Sequence, residues 1–338
     1  MPEVSLLLVL IVLVALFFDF TNGANDSANA IATIVSTQVL SPRAAVIMAA
    51  VLNLLGALAG TKVAMTIGGG IVHADMIAGC RVLVLAALVG AIVWNLVTRY
   101  LGIPSSSSHA LIGGLVGAAI THGGWTAVDY HSLGTKVVFP LVLSPVAGFI
   151  GGYALMVVLV WVSFNAHPRK AGKFFRRAQL LSSGLVAANH GLNDAQKTMG
   201  IITLALVLFQ VIDKNHVYVP FWVKMGCALA MGLGTATGGW KIIKTMGHRI
   251  FRLDPIHGFA AETGASMVIG AASAFGAPVS TTHTIACTIL GVGSSKRFSA
   301  VRWGVAGDMV VAWILTIPAA ALVSAACLCL LKWIGLGR

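Results

Sequence analysis

Two short polar phrases recur in this chain of 338 residues, each inside a stretch apolar enough for hydrocarbon: Gly23-Ala24-Asn25-Asp26 and Gly191-Leu192-Asn193-Asp194. A carboxylate in such surroundings is costly, so its retention marks a functional position by default. Its oxygens can bind a cation or accept a hydrogen from a substrate hydroxyl, and the adjacent Asn amide can donate to an anion. Further along, each phrase is followed by a second one: Pro104-Ser105-Ser106-Ser107-Ser108-His109, then Pro278-Val279-Ser280-Thr281-Thr282-His283.

Pro104 and Pro278 each lead through hydroxyl residues into a short Gly-containing apolar segment. Proline fits the first turn of a helix, and Ser or Thr there can accept from exposed first-turn amides. Both phrases therefore predict half-helices that begin at membrane depth, where free backbone donors and a partial positive charge favour an anion. Ser106, Ser107, Ser108, Ser280, Thr281 and Thr282 add donors without fixed charge. Capping of a kinked helix competes with this reading for either copy alone, and the repetition at matching places favours the anion site.

Charge then points to a mechanism. An oxyanion carrying about two negative charges beside Asp26 and Asp194 gathers about four, against about half a positive charge per helix end. Cations or protons must enter with the anion, which predicts symport. Asp26, Asn29, Asp194 and Glu262 are the candidates for the coupling cation or proton, and Asp26 with Asp194 could hold sodium. Lys197, three residues after Asp194, either supplies a compensating charge in the substrate site or is a structural lysine. Asp19 and Asp308 have no repeat partner and rank lower. His109 and His283 match across the copies and could titrate near neutrality or brace the half-helices.

The elements that position these residues follow from composition. With 58% hydrophobic and 9% charged residues and a mean hydropathy of +0.92, the chain departs from soluble proteins, which carry about 25% charged residues. It reads as an all-α polytopic membrane protein. Apolar spans fall near 4–40, 43–61, 79–101, 104–121 and 138–163, then 179–212, 219–240, 258–276, 278–293 and 303–331. Five per half, an odd number, places the halves upside down relative to each other: an inverted repeat at 1–164 and another at 179–338, joined by a basic cytoplasmic loop at 165–178. With half-helices and re-entrant segments, about ten to twelve membrane segments are expected. Gly23 and Gly191 permit unwinding, so the long helices are expected to break at the Asn-Asp phrases, as transporter helices do near the midplane. Lys62, Thr66, Gly68 and Asp75 match Lys241, Thr245, Gly247 and Asp254 at one offset.

The net charge of +12 lies mostly in short basic stretches beside spans, a mark of the cytoplasmic side and of anionic lipid contact, with no nucleic acid implied. Placing 164–178 inside puts 14 of the 22 Lys and Arg in the cytoplasm and both termini outside. The early apolar run lacks a basic flank and a cleavage site, so it reads as a span and not a signal peptide. The five cysteines show no CxxC pairing and read as buried thiols. Gly113–Gly117 and Gly148–Gly152 read as helix-packing spacings. No nucleotide-binding loop is present, so ATP-driven transport has no support, and no resident cofactor is called for beyond a co-transported sodium ion or proton.

At Gly23 to Ala30, His190 to Lys197 and Pro278 to His283 the chain resembles the inorganic phosphate transporter (PiT) family, and the order of these motifs covers nearly its whole length. The resemblance implies secondary active uptake of phosphate across the inner membrane with sodium or protons, in some bacterial members as a metal phosphate complex. Ser27 and Leu192 depart from the usual motif residues, and Met65 stands where many members carry a Glu. The family resemblance also extends to sulfate permeases, which keeps sulfate symport as the alternative. A carboxylate poised as acceptor favours phosphate, which keeps a P–OH donor near neutrality that sulfate lacks. An intramembrane hydrolase is disfavoured because Ser108 and His109, as sequence neighbours, do not make a nucleophile and base pair. A passive channel fits charged centres poorly, and a homo-oligomer is left open.

Overall fold

A computed structural model describes residues 5–70 and 80–336. The described residues contain no β-strand and form twelve helices of five or more residues, besides the single helical turn Tyr130–Ser132 and short 3-10 and π turns. The first six are α1 (Leu6–Ser36), α2 (Pro42–Ala57), α3 (Lys62–Gly70), α4 (Leu83–Leu101), α5 (Ser107–Gly123) and α6 (Phe139–Val162). The second six are α7 (Pro168–Leu208), α8 (Phe221–Thr237), α9 (Trp240–Lys244), α10 (Pro255–Ala274), α11 (Thr281–Lys296) and α12 (Trp303–Trp333). Among the described residues four stretches are long and apolar enough to cross a membrane: Leu6–Ser36, Leu83–Leu101, Tyr130–Val162 and Trp303–Trp333. Their outer faces carry exposed Leu, Val, Ile, Phe and Trp, as lipid contact requires.

Helix boundaries repeat between the halves because their residues do. Ser106 and Ser280 cap α5 and α11, each accepting the amide of the following histidine at 3.2 Å. Gly102 and Gly276, just past α4 and α10, adopt left-handed φ of 70° and 71° and so terminate both helices ahead of the prolines. Past α1 and α7, Gln38 and Gln210 adopt φ of 56° and 57°, the non-glycine residues in that region among those described. Two of the residue pairs matched at that offset are structural. Lys62 and Lys241 donate to the carbonyls of Ala274 and Tyr100, and Thr66 and Thr245 to those of Gly276 and Gly102. Each half thus ties down the end of the other half's helix; Asp75 lies outside the described residues.

Packing is exchanged between the halves. Helix α1 packs on α8 while α2 packs on α7, and α5 packs on α12 while α6 packs on α11. Two apolar clusters result, with a polar layer between them. Helix α1 contributes Leu8 to Phe18 to one cluster and Ala28 to Ile34 to the other. Helix α7 meets them in the opposite order, Val186 and Ala187 in the second cluster and Ala195 to Leu208 in the first.

Two expectations are corrected. Helices α1 and α7 run unbroken through both Asn-Asp phrases. Gly23 and Gly191 serve close approach instead: a Cβ there would collide with the carbonyl of Met231 or of Asn53. The basic stretch at 165–178 is helical from Pro168 onward and forms the first turns of α7, so it is not a loop. The GxxxG pairs do pack closely, Gly113 and Gly117 on the α12 carbonyls of Ile317 and Ala321, Gly148 and Gly152 on those of Thr284 and Thr288 in α11. Of the cysteines, Cys80 and Cys227 are buried, but Cys329 is exposed.

Candidate functional site

Along α1 a polar seam runs at alternating three- and four-residue spacing: Asp19, Asn22, Asp26, Asn29, Thr33 and Ser36. That spacing keeps all six on one face of the helix. The seam is buried because α7, α10 and α11 cover it. At its centre the repeated aspartates meet. Asp26 and Asp194 are 3% and 1% exposed, and His190 stands between them, its Nε2 at 3.8 Å from Asp26 Oδ2 and 3.3 Å from Asp194 Oδ2.

The start of α11 joins both carboxylates. Thr281 donates to Asp194 and Thr282 to Asp26, each at 3.0 Å, while the Asn29 amide donates to both hydroxyls at 3.2 and 3.0 Å. From the other half-helix, Ser108 meets Lys197 Nζ at 2.5 Å, and that ammonium also donates to Asp194 Oδ1 at 2.5 Å and to the Val279 carbonyl at 2.8 Å. The rings of His109 and His283 lie 4.7 Å apart across the pair of helix starts. The two half-helices, written 174 residues apart, therefore converge on one place. Ser107 presents a buried hydroxyl with no partner there.

Several roles differ from those expected. The Asn25 and Asn193 amides face away from the aspartates, donating to the Asn95 carbonyl at 2.9 Å and to Ser273 at 2.9 Å, so they hold α1 to α4 and α7 to α10. Ser106 and Ser280 are helix caps, and Thr281 and Thr282 already donate to carboxylates. Lys197 is bound on three sides and cancels the charge of Asp194. The charge expected from the aspartates alone is thereby lowered, and His190 lowers it further whenever it carries a second proton.

Glu262 is not part of the aspartate cluster. It is fully buried on α10, accepting from Thr33 at 2.6 Å, Gln179 at 3.0 Å and Ser182 at 2.5 Å. Met65 is 39% exposed, so the residue at that position does not touch the cluster. Asp308 is exposed, whereas Asp19 is fully buried.

His190 and Asn53 were not singled out from sequence. The Nδ1 of His190 lies 2.7 Å from Asn53 Oδ1, and the Asn53 amide donates to Thr235 at 3.1 Å, which fixes the ring with Nε2 toward the carboxylates. The available signal was spacing: His190 lies four residues before Asp194, one helical turn. Asp26, His190 and Asp194 each offer a ligand atom, all within 4.8 Å of one another. Two carboxylates and an imidazole suit a divalent transition metal better than sodium, which prefers an all-oxygen shell.

A model of the phosphate transporter family matches residues 22–324. A probable low-affinity inorganic phosphate transporter of Rhizobium meliloti (strain 1021) is 49% identical over 322 residues, covering 95% of each chain. One of Bacillus subtilis (strain 168) is 47% identical over 326 residues, covering 96% of this chain and 97% of its own. Among solved structures, one titled the sodium-dependent phosphate transporter superposes with a TM-score of 0.88 at 25% identity, covering 98% of this chain and all of that one.

Proposed function

The chain belongs to the phosphate transporter family, whose members are membrane transporters and not enzymes, and from that premise we propose that it takes up inorganic phosphate by cation-coupled symport. The observation that carries the reading is the double bridge at the start of α11: adjacent threonines on one buried helix terminus reach an aspartate from each half of the chain. A tetrahedral oxyanion entering there meets first-turn amides, the Ser107 hydroxyl and the hydroxyls of Thr281 and Thr282, re-aimed from the carboxylates. The freed carboxylates then accept from a P–OH group or hold a cation, which links the anion to its companion ion.

The coupling ion is a proton or sodium, the latter carried by the printed title of the structural relative. The aspartate–histidine cluster also suits a metal phosphate complex as the transported species. The two sixfold helix sets are read as inverted-topology repeats, 1–164 and 179–338. The exchanged packing and the opposite order in which α1 and α7 cross the two apolar clusters support this. Rocking of one set against the other supplies alternating access. Both termini are placed outside, with the basic start of α7 on the cytoplasmic side of the inner membrane. Sulfate symport gains no support from the relatives, whose names specify phosphate.

Uptake of labelled phosphate and labelled sulfate into proteoliposomes, each under an imposed proton or sodium gradient, tests this. Concentrative phosphate uptake is expected, with no competition from sulfate. Sulfate accumulation that phosphate leaves untouched would overturn the substrate, and uptake without any gradient dependence would overturn symport.

A further inference from the structure

Asp19 is the one seam acid that none of the bonds above involves. It lies seven residues before Asp26, two helical turns along the same face of α1 and so ~10 Å away. Its side chain is fully buried, and neither carboxylate oxygen has a hydrogen-bond partner. The Thr198 hydroxyl of α7 and the Cys227 thiol of α8 lie beside it, and Asn22 follows one turn on. Thr198 Oγ1 and Asn22 Oδ1 are also buried without a partner.

From the helices packed on α1, the titratable groups facing Asp19 are Cys227 on α8 and, farther off, His190 and Asp194 on α7. Those two are engaged with each other, with Asn53 and with Lys197. Elsewhere the charged groups turn away: Arg99 of α4 donates to the Gly238 carbonyl, Lys241 of α9 to that of Tyr100, and Glu262 of α10 is bound at Thr33.

An ionised carboxylate with neither donor nor counter-ion is among the costliest groups to bury. A protonated one is not. Glu262 makes the comparison within the same seam: it lies opposite Thr33, seven residues beyond Asp26, and three donors satisfy it. Asp19 has only the Thr198 hydroxyl and the weakly donating Cys227 thiol beside it, neither in hydrogen-bond geometry, and it is as fully buried. A bound cation does not fit as well, because the side chains around it offer four oxygens and a thiol, short of the shell a hard cation takes.

We propose that Asp19 carries the coupling proton: its carboxylate takes up one proton from the outer side, crosses the sealed state as the neutral acid, and releases that proton inside. The proposal rests on the phosphate symport reading. Asn22 lies between Asp19 and Asp26 on the seam, so an ion pair formed or broken at Asp26 on anion binding is felt at Asp19 across two turns of helix. Proton loading and anion loading are thereby linked without sharing a ligand.

The test uses the full chain in proteoliposomes with labelled phosphate. Asp19→Asn is expected to lower accumulation driven by an inward proton gradient by about a hundredfold, while phosphate–phosphate exchange, which needs no net proton movement, stays close to wild type. Asp19→Glu is expected to keep proton-driven accumulation. Asn-variant accumulation at the wild-type level overturns the proposal. So does loss of exchange in both variants, which makes Asp19 structural, or a wild type driven by sodium alone whose drive Asp19→Asn removes, which makes it a cation ligand. A wild type that moves no phosphate under either gradient overturns the symport reading itself.

Discussion

The same phrase serves two purposes in the two halves of this protein. In the first copy, Asp26 is flanked on its helix by the neutral amides of Asn22 and Asn29; at the matching positions of the second, Asp194 is flanked by His190 and Lys197. Asp194 is therefore held by fixed bases in its own helix, and Asp26 depends on a threonine from α11 and on a longer approach to the His190 Nε2 that it shares with Asp194. The repeated phrases sit in matching surroundings, and the basic residues on the α7 side make one carboxylate an anchor and leave the other available. A site that binds and releases an ion needs that difference, because two equally neutralised aspartates have no reason to recruit a cation.

The largest effect should come from unbalancing the anchor. Lys197→Met leaves Asp194 buried without its ammonium partner, a loss of about 3–5 kcal/mol, read as a lower unfolding temperature in detergent. Adding Asp194→Asn should recover much of it. A stable single variant would mean the ammonium is not the partner of Asp194. Next comes Asp26→Asn, expected to abolish gradient-driven uptake with insertion and unfolding temperature near wild type, since the Thr282 hydroxyl keeps an acceptor. Normal transport in this variant would erase the distinction between the two copies.

Smaller effects test the frame. Ser106→Ala and Ser280→Ala each remove a helix cap worth about 1 kcal/mol and should weaken phosphate affinity, visible as a raised half-saturating concentration; unchanged affinity would limit them to capping. The smallest shift is expected at the matched helix ends. Gln38→Gly and Gln210→Gly relieve left-handed backbone and should stabilise by up to about 1 kcal/mol, equally in both halves if their ends are equivalent.

Much of the frame was legible in the chain because it is written in local chemistry. The prolines, caps and hydroxyls that start α5 and α11 declare themselves, and the repetition of the phrases pointed to a site between them. The breaks expected at Gly23 and Gly191 did not follow, because a glycine reads alike whether it frees a backbone or admits a neighbour. Close approach across α2 and α8 is a tertiary fact. The basic stretch 165–178 misled for a related reason: charge marks a side of the membrane, but Pro168 followed by good helix formers continues α7 beyond it. The roles of the amides were the least legible. Asn25 and Asn193 sit beside the aspartates in sequence, yet on a continuous helix adjacent residues point apart, so the neighbours that count are His190, Asn29 and Lys197, one turn away. Had the helix been taken as unbroken, the seam from Asp19 to Ser36 would have shown itself by its spacing alone.

The exchanged packing also governs how the protein is made. The seam on α1 is covered by α7, α10 and α11, all of which are synthesised after residue 167. A ribosome that has completed the first six helices has delivered two acids and two Asn amides into the bilayer without their permanent neighbours, and only emergence of Thr281 and Thr282 closes the gap. During that interval the half-made chain exposes the kind of polar surface that quality-control proteases and insertion chaperones recognise in membranes. Truncation between the halves therefore yields no half-transporter but an orphan, and the joint at the start of α7 becomes a timing element as much as a connection.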